Sequence, residues 1–282
     1  MPLTEIADMP TLRSPLSYVG GKFRLLKHLL PLINPLPPGE TEYVEPFGGG
    51  ASVLIAKSPH PSEIYNDLNG DLFNFFKTLR DREPELSRRL KLTPYSRREF
   101  AAALQSKATD PVEQAADFYT KLNQAFGADI SVGKGERNDR NWTVDKGSYR
   151  GMNRRVSAWL SKADRLHDVA FRLRTVAFEN EDAIKLIKKR DSPSCKMFVD
   201  PPYKGQEYIY PVSFSQHAEL AQALNAAMSK IVLTHYDCET VRELYPEGKW
   251  RYRMIEGKAT VCGARDASRR ELILWNFDAE EA

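Results

Sequence analysis

Residues 197–203 read Met197-Phe198-Val199-Asp200-Pro201-Pro202-Tyr203, and the fold class follows from how that run is built. Three apolar residues followed by a turn signal have the pattern of a short strand buried on both faces. Two consecutive prolines then end it, because neither can donate to a sheet ladder. The run therefore mounts a carboxylate on the end of a buried strand, which is where ligands lie in open α/β sheets.

The upstream chain supplies the first crossover of such a sheet. Thr41-Glu42-Tyr43-Val44-Glu45-Pro46-Phe47 reads as a strand, and Gly48-Gly49-Gly50-Ala51-Ser52 opens a helix over residues 53–57. A strand passing through a glycine-rich bend into a helix N-terminus is a nucleotide-binding turn. The spacing matches neither the dinucleotide fingerprint nor a phosphate-binding P-loop. A second strand, Glu63-Ile64-Tyr65, ends in Asn66-Asp67, and an acid roughly 20 residues past the glycine turn is placed to accept from a ribose diol. Loop and acid together suggest an adenosine-containing cofactor, although a tight turn and a strand-end Asp would read the same way. Ahead of them, Gly20-Gly21-Lys22 precedes a helix with Phe23, Leu26, Leu29 and Leu30 on one face. That is a plausible carboxylate grip or simply a flexible start.

Between residues 71 and 174 the pattern turns helical. Leu72, Phe73, Phe76 and Leu79 make one face, and Ser96-Arg97-Arg98-Glu99 and Asp110-Pro111-Val112-Glu113 are capping boxes. Val112, Ala115, Ala116, Tyr119, Leu122 and Phe126 form an apolar stripe ended by Gly127. After an aperiodic loop, one further helix presents Val156, Trp159, Leu160, Ala163, Leu166, Val169 and Leu173. The α/β pattern resumes with Thr175-Val176-Ala177-Phe178, so the helical stretch reads as an inserted subdomain. Beyond the opening run come a helix over residues 213–228 facing Phe214, Leu220, Ala221 and Leu224 inward, then the strand Ile231-Val232-Leu233-Thr234. Apolar runs at 250–255 and 272–277 predict an edge hairpin.

The chain has 282 residues, 41% hydrophobic and 28% charged, enough for one large or two small globular domains. Residues 1–10 have no basic-then-apolar pattern, and the leucine-rich stretch at 28–39 is broken by prolines. No signal peptide or spanning helix is expected, and residence in the cytosol is. The three cysteines, Cys195, Cys238 and Cys262, form no CxxC pair, and the five histidines show no ligand spacing, so neither a disulfide framework nor a metal is expected. The net charge is only +3, but residues 133–155 carry a net +4 and residues 257–270 a net +3. A polyanion would be met by these two loops, through Arg137, Arg140, Lys146, Arg150, Arg154 and Arg155 in the first and Arg265 and Arg269 in the second.

The chemistry of Asp200-Pro201-Pro202-Tyr203 follows from what it lacks. With two N–H donors removed, the Asp200 carboxylate and the Pro201 carbonyl leave a locale that only accepts hydrogen bonds. That suits an exocyclic amino group. Two acceptors on the hydrogens of adenine N6 pull the nitrogen towards tetrahedral geometry and free its lone pair to attack a sulfonium methyl, while Tyr203 offers a face for the base. A base in duplex DNA would first have to flip out, at a cost of about a few kcal/mol.

The ordered set Tyr18-Val19-Gly20-Gly21-Lys22, Glu45-Pro46-Phe47-Gly48-Gly49-Gly50, Asn66-Asp67, helical insertion, Asp200-Pro201-Pro202-Tyr203 and Arg269-Arg270-Glu271 resembles the Dam-type DNA adenine-N6 methyltransferases in their alpha arrangement, from about residue 15 to 277. The resemblance implies a Rossmann-like catalytic domain formed by residues 14–70 and 174–278, a helical, basic target-recognition insertion at 71–173, and flexible ends at 1–13 and 279–282. It implies S-adenosylmethionine as cofactor, held by Tyr18, Gly20 and Lys22 at its methionine end and by Glu45, Phe47, Gly48 and Gly50 around its body. Asp67 would take the ribose, Asp182 would lie near the adenine, and Asp200 would touch cofactor and target. Double-stranded DNA is the implied partner of a monomeric enzyme. Leu122-Asn123-Gln124, Gly127-Ala128 and Asn141-Trp142-Thr143-Val144 depart from the family's usual strings, which leaves the target sequence open, GATC included. Cytosine-N4 methylation, methylation of an RNA or a protein amide, and a catalytically silent DNA-binding homologue are the competing readings.

Overall fold

The computed structural model describes residues 12–126, 141–149, 151–205, 207, 210–212, 214–257 and 269–279. A single 3-10 turn, Lys22–Leu25, leads into α1 (Leu26–Ile33), followed by β1 (Glu42–Glu45), α2 (Ser52–Ala56) and β2 (Ser62–Asn66). The helical stretch comprises α3 (Gly70–Asp81), α4 (Glu83–Leu92), α5 (Arg97–Gln105), α6 (Pro111–Gln124), the short hairpin of β3 (Ser148–Tyr149) and β4 (Met152–Asn153), α7 (Arg154–Asp164) and α8 (Leu166–Leu173). The chain then alternates through β5 (Val176–Glu179), α9 (Ala183–Arg190), β6 (Cys195–Val199), α10 (His217–Ala226), β7 (Lys230–Tyr236) and α11 (Glu239–Leu244), and closes with β8 (Arg251–Gly257) and β9 (Arg269–Trp275).

Seven strands form one sheet in the order β5-β2-β1-β6-β7-β9-β8. The first five are parallel, and β9 runs antiparallel between β7 and β8, as the predicted edge hairpin. The order reverses between β1 and β6, which opens a crevice at their carboxyl ends. Side chains alternate between two cores, as a period of two requires. Val44, Met197, Val199, Leu233 and Leu272 face the helices α9 and α10, while Tyr43, Phe198, Val232 and Ile273 face the other side.

On that second side the sheet shares one continuous core with the helical stretch, through Phe75, Phe76, Tyr119, Trp159, Leu166 and Val169. The stretch is thus not set apart by a core of its own. A buried ion cluster adds to the join: the Arg172 guanidinium on α8 donates to both Glu63 oxygens, at 2.6 and 2.8 Å, and to the Leu54 carbonyl at 2.9 Å. Lys57 pairs with the same carboxylate.

Several local expectations change. Phe75, not Phe73, turns into the core, and Phe23 and Phe126 are about half exposed, the former beneath the Arg13 guanidinium. The helix expected over 156–173 breaks at Arg165 into α7 and α8, leaving Leu160 exposed. Phe214 precedes α10 instead of joining it. Both predicted capping boxes are half made. Ser96 and Asp110 accept from the first-turn amides, but Gln124 accepts from the Ser96 amide and Arg89 takes the Glu113 carboxylate.

Candidate active site

The crevice at the β1–β6 switch point is a cleft with about 940 Å³ of empty space, part of it open to solvent. Its lining includes Tyr18, Gly20, Lys22, Glu45, Phe47, Gly48, Gly50, Asp67, Asp182 and Asp200, so every residue expected to hold a cofactor converges there. Those residues come from five separate parts of the chain, and the sheet order is what brings them together. Of the remaining members of the opening run, Pro202 lines the cleft, whereas Pro201 and Tyr203 are buried beside it.

Glycine is required at two points of this wall. A Cβ on Gly48 would stand 2.2 Å from the Tyr65 ring, whose hydroxyl donates to the Gly49 carbonyl at 2.8 Å. Gly20 has φ +77°, and a Cβ there would meet the Tyr210 hydroxyl at 2.5 Å. At the start of α2, Ala51 adopts a left-handed conformation at φ +54°, an uncommon one for a residue with a side chain.

The acids of the cleft have distinct surroundings. Asp67 accepts from the Gly49 amide through Oδ2 and from the Asn69 amide through Oδ1, both at 2.8 Å. Burial raises its pKa, and those two hydrogen bonds oppose the rise. Glu45 is fully buried and accepts from the Tyr43 hydroxyl at 2.6 Å. Burial pushes its carboxyl up to about 8, against the nearby Tyr43 and Lys57. Asp182 caps α9 by accepting from the Lys185 amide at 2.9 Å. Burial, and then the Asp67 charge, hold the Tyr18 phenol well above its ordinary range.

Asp200 is gripped on both oxygens. Lys22 Nζ lies 2.7 Å from Oδ2, and the Thr234 hydroxyl donates to Oδ1 at 2.6 Å. Lys22 also donates to the Gly20 carbonyl at 2.6 Å. Its ammonium thus links the glycine turn to the carboxylate instead of standing at the far end of the cleft. A lysine after Gly20-Gly21 is visible in the sequence. Its pairing with a residue 178 positions later is not, because only the sheet order creates it.

Tyr203 corrects an expectation. Its ring is 5% exposed, stacks on the His235 imidazole at 4.8 Å, meets Tyr236 edge-on at 4.5 Å and has the Lys22 ammonium 4.9 Å from its centre. In this conformation the ring therefore offers no free face to a base. His235 accepts from the Lys204 amide at Nε2 and faces the Tyr236 carbonyl with Nδ1, which assigns the proton to Nδ1. Burial draws this imidazole down to about 4. The aromatic rings that do line the cleft include Tyr18, Phe47, Tyr210 and Phe214. The last two were not expected. Phe214 packs edge-on against Phe47 at 5.2 Å.

The basic surface is described in part. Arg137, Arg140, Arg150 and Arg265 lie outside the described residues, and Arg269 opens β9 opposite Gly257. Lys146 is exposed, and Arg155 is half-buried in the first turn of α7. Arg154 departs from its expected role. Its guanidinium pairs with Asp145, whose Oδ1 accepts from the Gly147 amide, so the side chain braces the base of the β3–β4 hairpin. Among the described residues no three His, Cys, Asp or Glu side chains converge as a metal site, and no helix is long and apolar enough to cross a membrane.

An open, mostly parallel sheet with a glycine-rich turn at its switch point and an Asp-Pro-Pro-Tyr run at the end of the adjacent strand defines a Rossmann-like methyltransferase. The model of the D12 class N6 adenine-specific DNA methyltransferases matches residues 18–261, and the chain belongs to that family. Over 70 residues it is 39% identical to the modification methylase StsI of Streptococcus sanguinis, a match covering 24% of this chain and 10% of that protein. Over 67 residues it is 39% identical to the DNA N-6-adenine-methyltransferase of Escherichia phage P1, covering 24% of this chain and 8% of that protein. The matched segment is thus about a tenth or less of either relative's length.

Proposed function

We propose that the protein transfers a methyl group from S-adenosylmethionine to adenine N6 in duplex DNA, with Asp200 as the acceptor of the target amino group. The observation that carries this reading is the position of Asp200. It ends a central strand on the wall of the cleft, beside the glycine turn and ahead of two residues without amide donors.

The residues present fit the cofactor. The walls at Gly48 and Gly20 are closed to any side chain, which keeps the cleft open to a flat ligand against the backbone. Lys22 has three donors, two of them used by Gly20 and Asp200, so one is left for a carboxylate. Asp67 has used one lone pair on each oxygen and retains two for a ribose diol. Phe47 and Tyr18 would flank the body of the ligand, and Asp182 its adenine. When bound, S-adenosylmethionine supplies an electrophilic sulfonium methyl group. Asp200 and the Pro201 carbonyl accept from the two amino hydrogens of the target, orienting the nitrogen lone pair towards the cleft. The electron-rich locale also favours the cationic nitrogen that develops as the bond forms.

In this reading residues 14–70 and 174–278 are the catalytic part, and residues 71–173 read the DNA through the β3–β4 hairpin and its basic flanks. The base flips out of the duplex to reach Asp200. Supplying tritiated methyl donor with DNA, RNA and protein in parallel tests the substrate class. Label is expected in DNA alone, and label in RNA or protein would overturn the assignment.

A further inference from the structure

The register of the sheet carries one consequence for Asp200. Met197, Phe198 and Val199 on β6 pair with Ile231, Val232 and Leu233 on β7, so the next step places Asp200 opposite Thr234. Thr234 shares a face with Val232, two residues before it, as Asp200 does with Phe198. Its side chain is completely buried, and its hydroxyl donates to Asp200 Oδ1 at 2.6 Å. The other oxygen is held by Lys22 at 2.7 Å.

We propose that Thr234 is a positioning residue of the methyl-transfer reaction, fixing the Asp200 carboxylate plane before the target amino group arrives. This rests on the reading of Asp200 as the amino acceptor. A carboxylate at a strand end is free to turn about two side-chain bonds. With one donor on each oxygen it keeps a single orientation, and only the lone pairs not taken by Thr234 and Lys22 remain for an incoming hydrogen. An amino group must be met along a narrow set of directions, so a carboxylate free to turn loses rate and not affinity. The β-branched side chain suits this task, since few rotamers are open to it on a strand and the hydroxyl is aimed by the backbone itself.

The test compares Thr234→Val, which keeps the shape and removes the donor, with Thr234→Ser, which keeps the donor. For Thr234→Val the expected result is a kcat lower by on the order of 10- to 100-fold. Its KM for DNA and its calorimetric affinity for S-adenosylmethionine should stay within about twofold of the parent, a split that loss of structure alone would not produce. Thr234→Ser is expected to recover kcat to within about threefold. Thr234→Ala serves as the donor-less variant if the valine protein does not fold. A donor-less variant with full kcat, a serine variant as slow as the valine one, or a loss confined to KM would each overturn the proposal. Asp200→Ala measured alongside separates the two levels. If it is inactive while Thr234→Val is fully active, only the role of Thr234 falls. If it is active, the reading of Asp200 falls as well.

Discussion

In the cleft, the acids are held mostly by neutral donors fixed on the sheet and the glycine turn: Asp67 by two amides, Glu45 by the neighbouring Tyr43 hydroxyl, and Asp200 by the Thr234 hydroxyl together with one cation, Lys22. In the helical stretch, many charged side chains are held by one another. Arg82 pairs with Glu85 and Asp110, Arg89 with Glu113, and Arg154 with Asp145. The first arrangement leaves acceptors with spare lone pairs at fixed points, as chemistry requires. The second leaves a surface whose free charge is smaller than the residue count.

The sharpest way to break this contrast is to remove a fixed acceptor. Asp200→Ala should lower the methylation rate roughly 10³-fold or more while DNA affinity in a filter or fluorescence assay changes little. A comparable loss of DNA binding would mean that the two regions do not divide the work. The join between them comes next. Arg172→Met leaves the buried Glu63 carboxylate with only Lys57 and the His60 amide and should destabilise the protein by about 3–5 kcal/mol in urea unfolding. Because the core is continuous, that unfolding should stay a single transition, whether followed through Trp159 or through Trp250 and Trp275. Two separated transitions would show independent bodies.

A smaller effect should appear at Glu45. Its folded-state carboxyl sits at about 8, raised by burial from an ordinary value of 4.5. The folded protein therefore holds a proton that the unfolded chain releases at lower pH. The stabilisation is complete below about 4.5 and is lost as pH rises through about 8. Between pH 6 and 9 the parent should lose at least about 2 °C of Tm more than Glu45→Gln does. Parallel curves would place Glu45 in a more polar setting than its burial implies. The smallest effect expected is on the surface. Lys146→Ala should reduce the slope of log affinity against log salt by about 0.9 if it meets one phosphate, whereas the paired Arg154 should change it less.

What was legible in the chain divides along the same line. The glycine turn, the strand-end acids, Asp200 and Pro202 belong to strings whose backbone constraints are local, and they line one cleft. The grip of Lys22 and Thr234 on Asp200 depends on which strands are neighbours, which no local pattern states. Still, an apolar run ending in Thr234 resembles the one ending in Asp200 closely enough to suggest adjacent strand ends. An aromatic after two prolines reads as a free ring, whereas His235 arrives from β7 to cover Tyr203. The charge of Arg154 reads as free in the chain, because Asp145, nine residues earlier, meets it only once the hairpin closes. Phe73 and Phe75 both fit a helical stripe, and the packing partner, not the period, chose between them.

The group that Asp200 accepts from is revealed by the identity of the methylated nucleoside. Unmethylated DNA treated with the purified protein and S-adenosylmethionine, then digested and separated by mass, should contain N6-methyldeoxyadenosine, with none formed by Asp200→Ala. N4-methyldeoxycytidine in its place, or no modified base at all, would contradict the account.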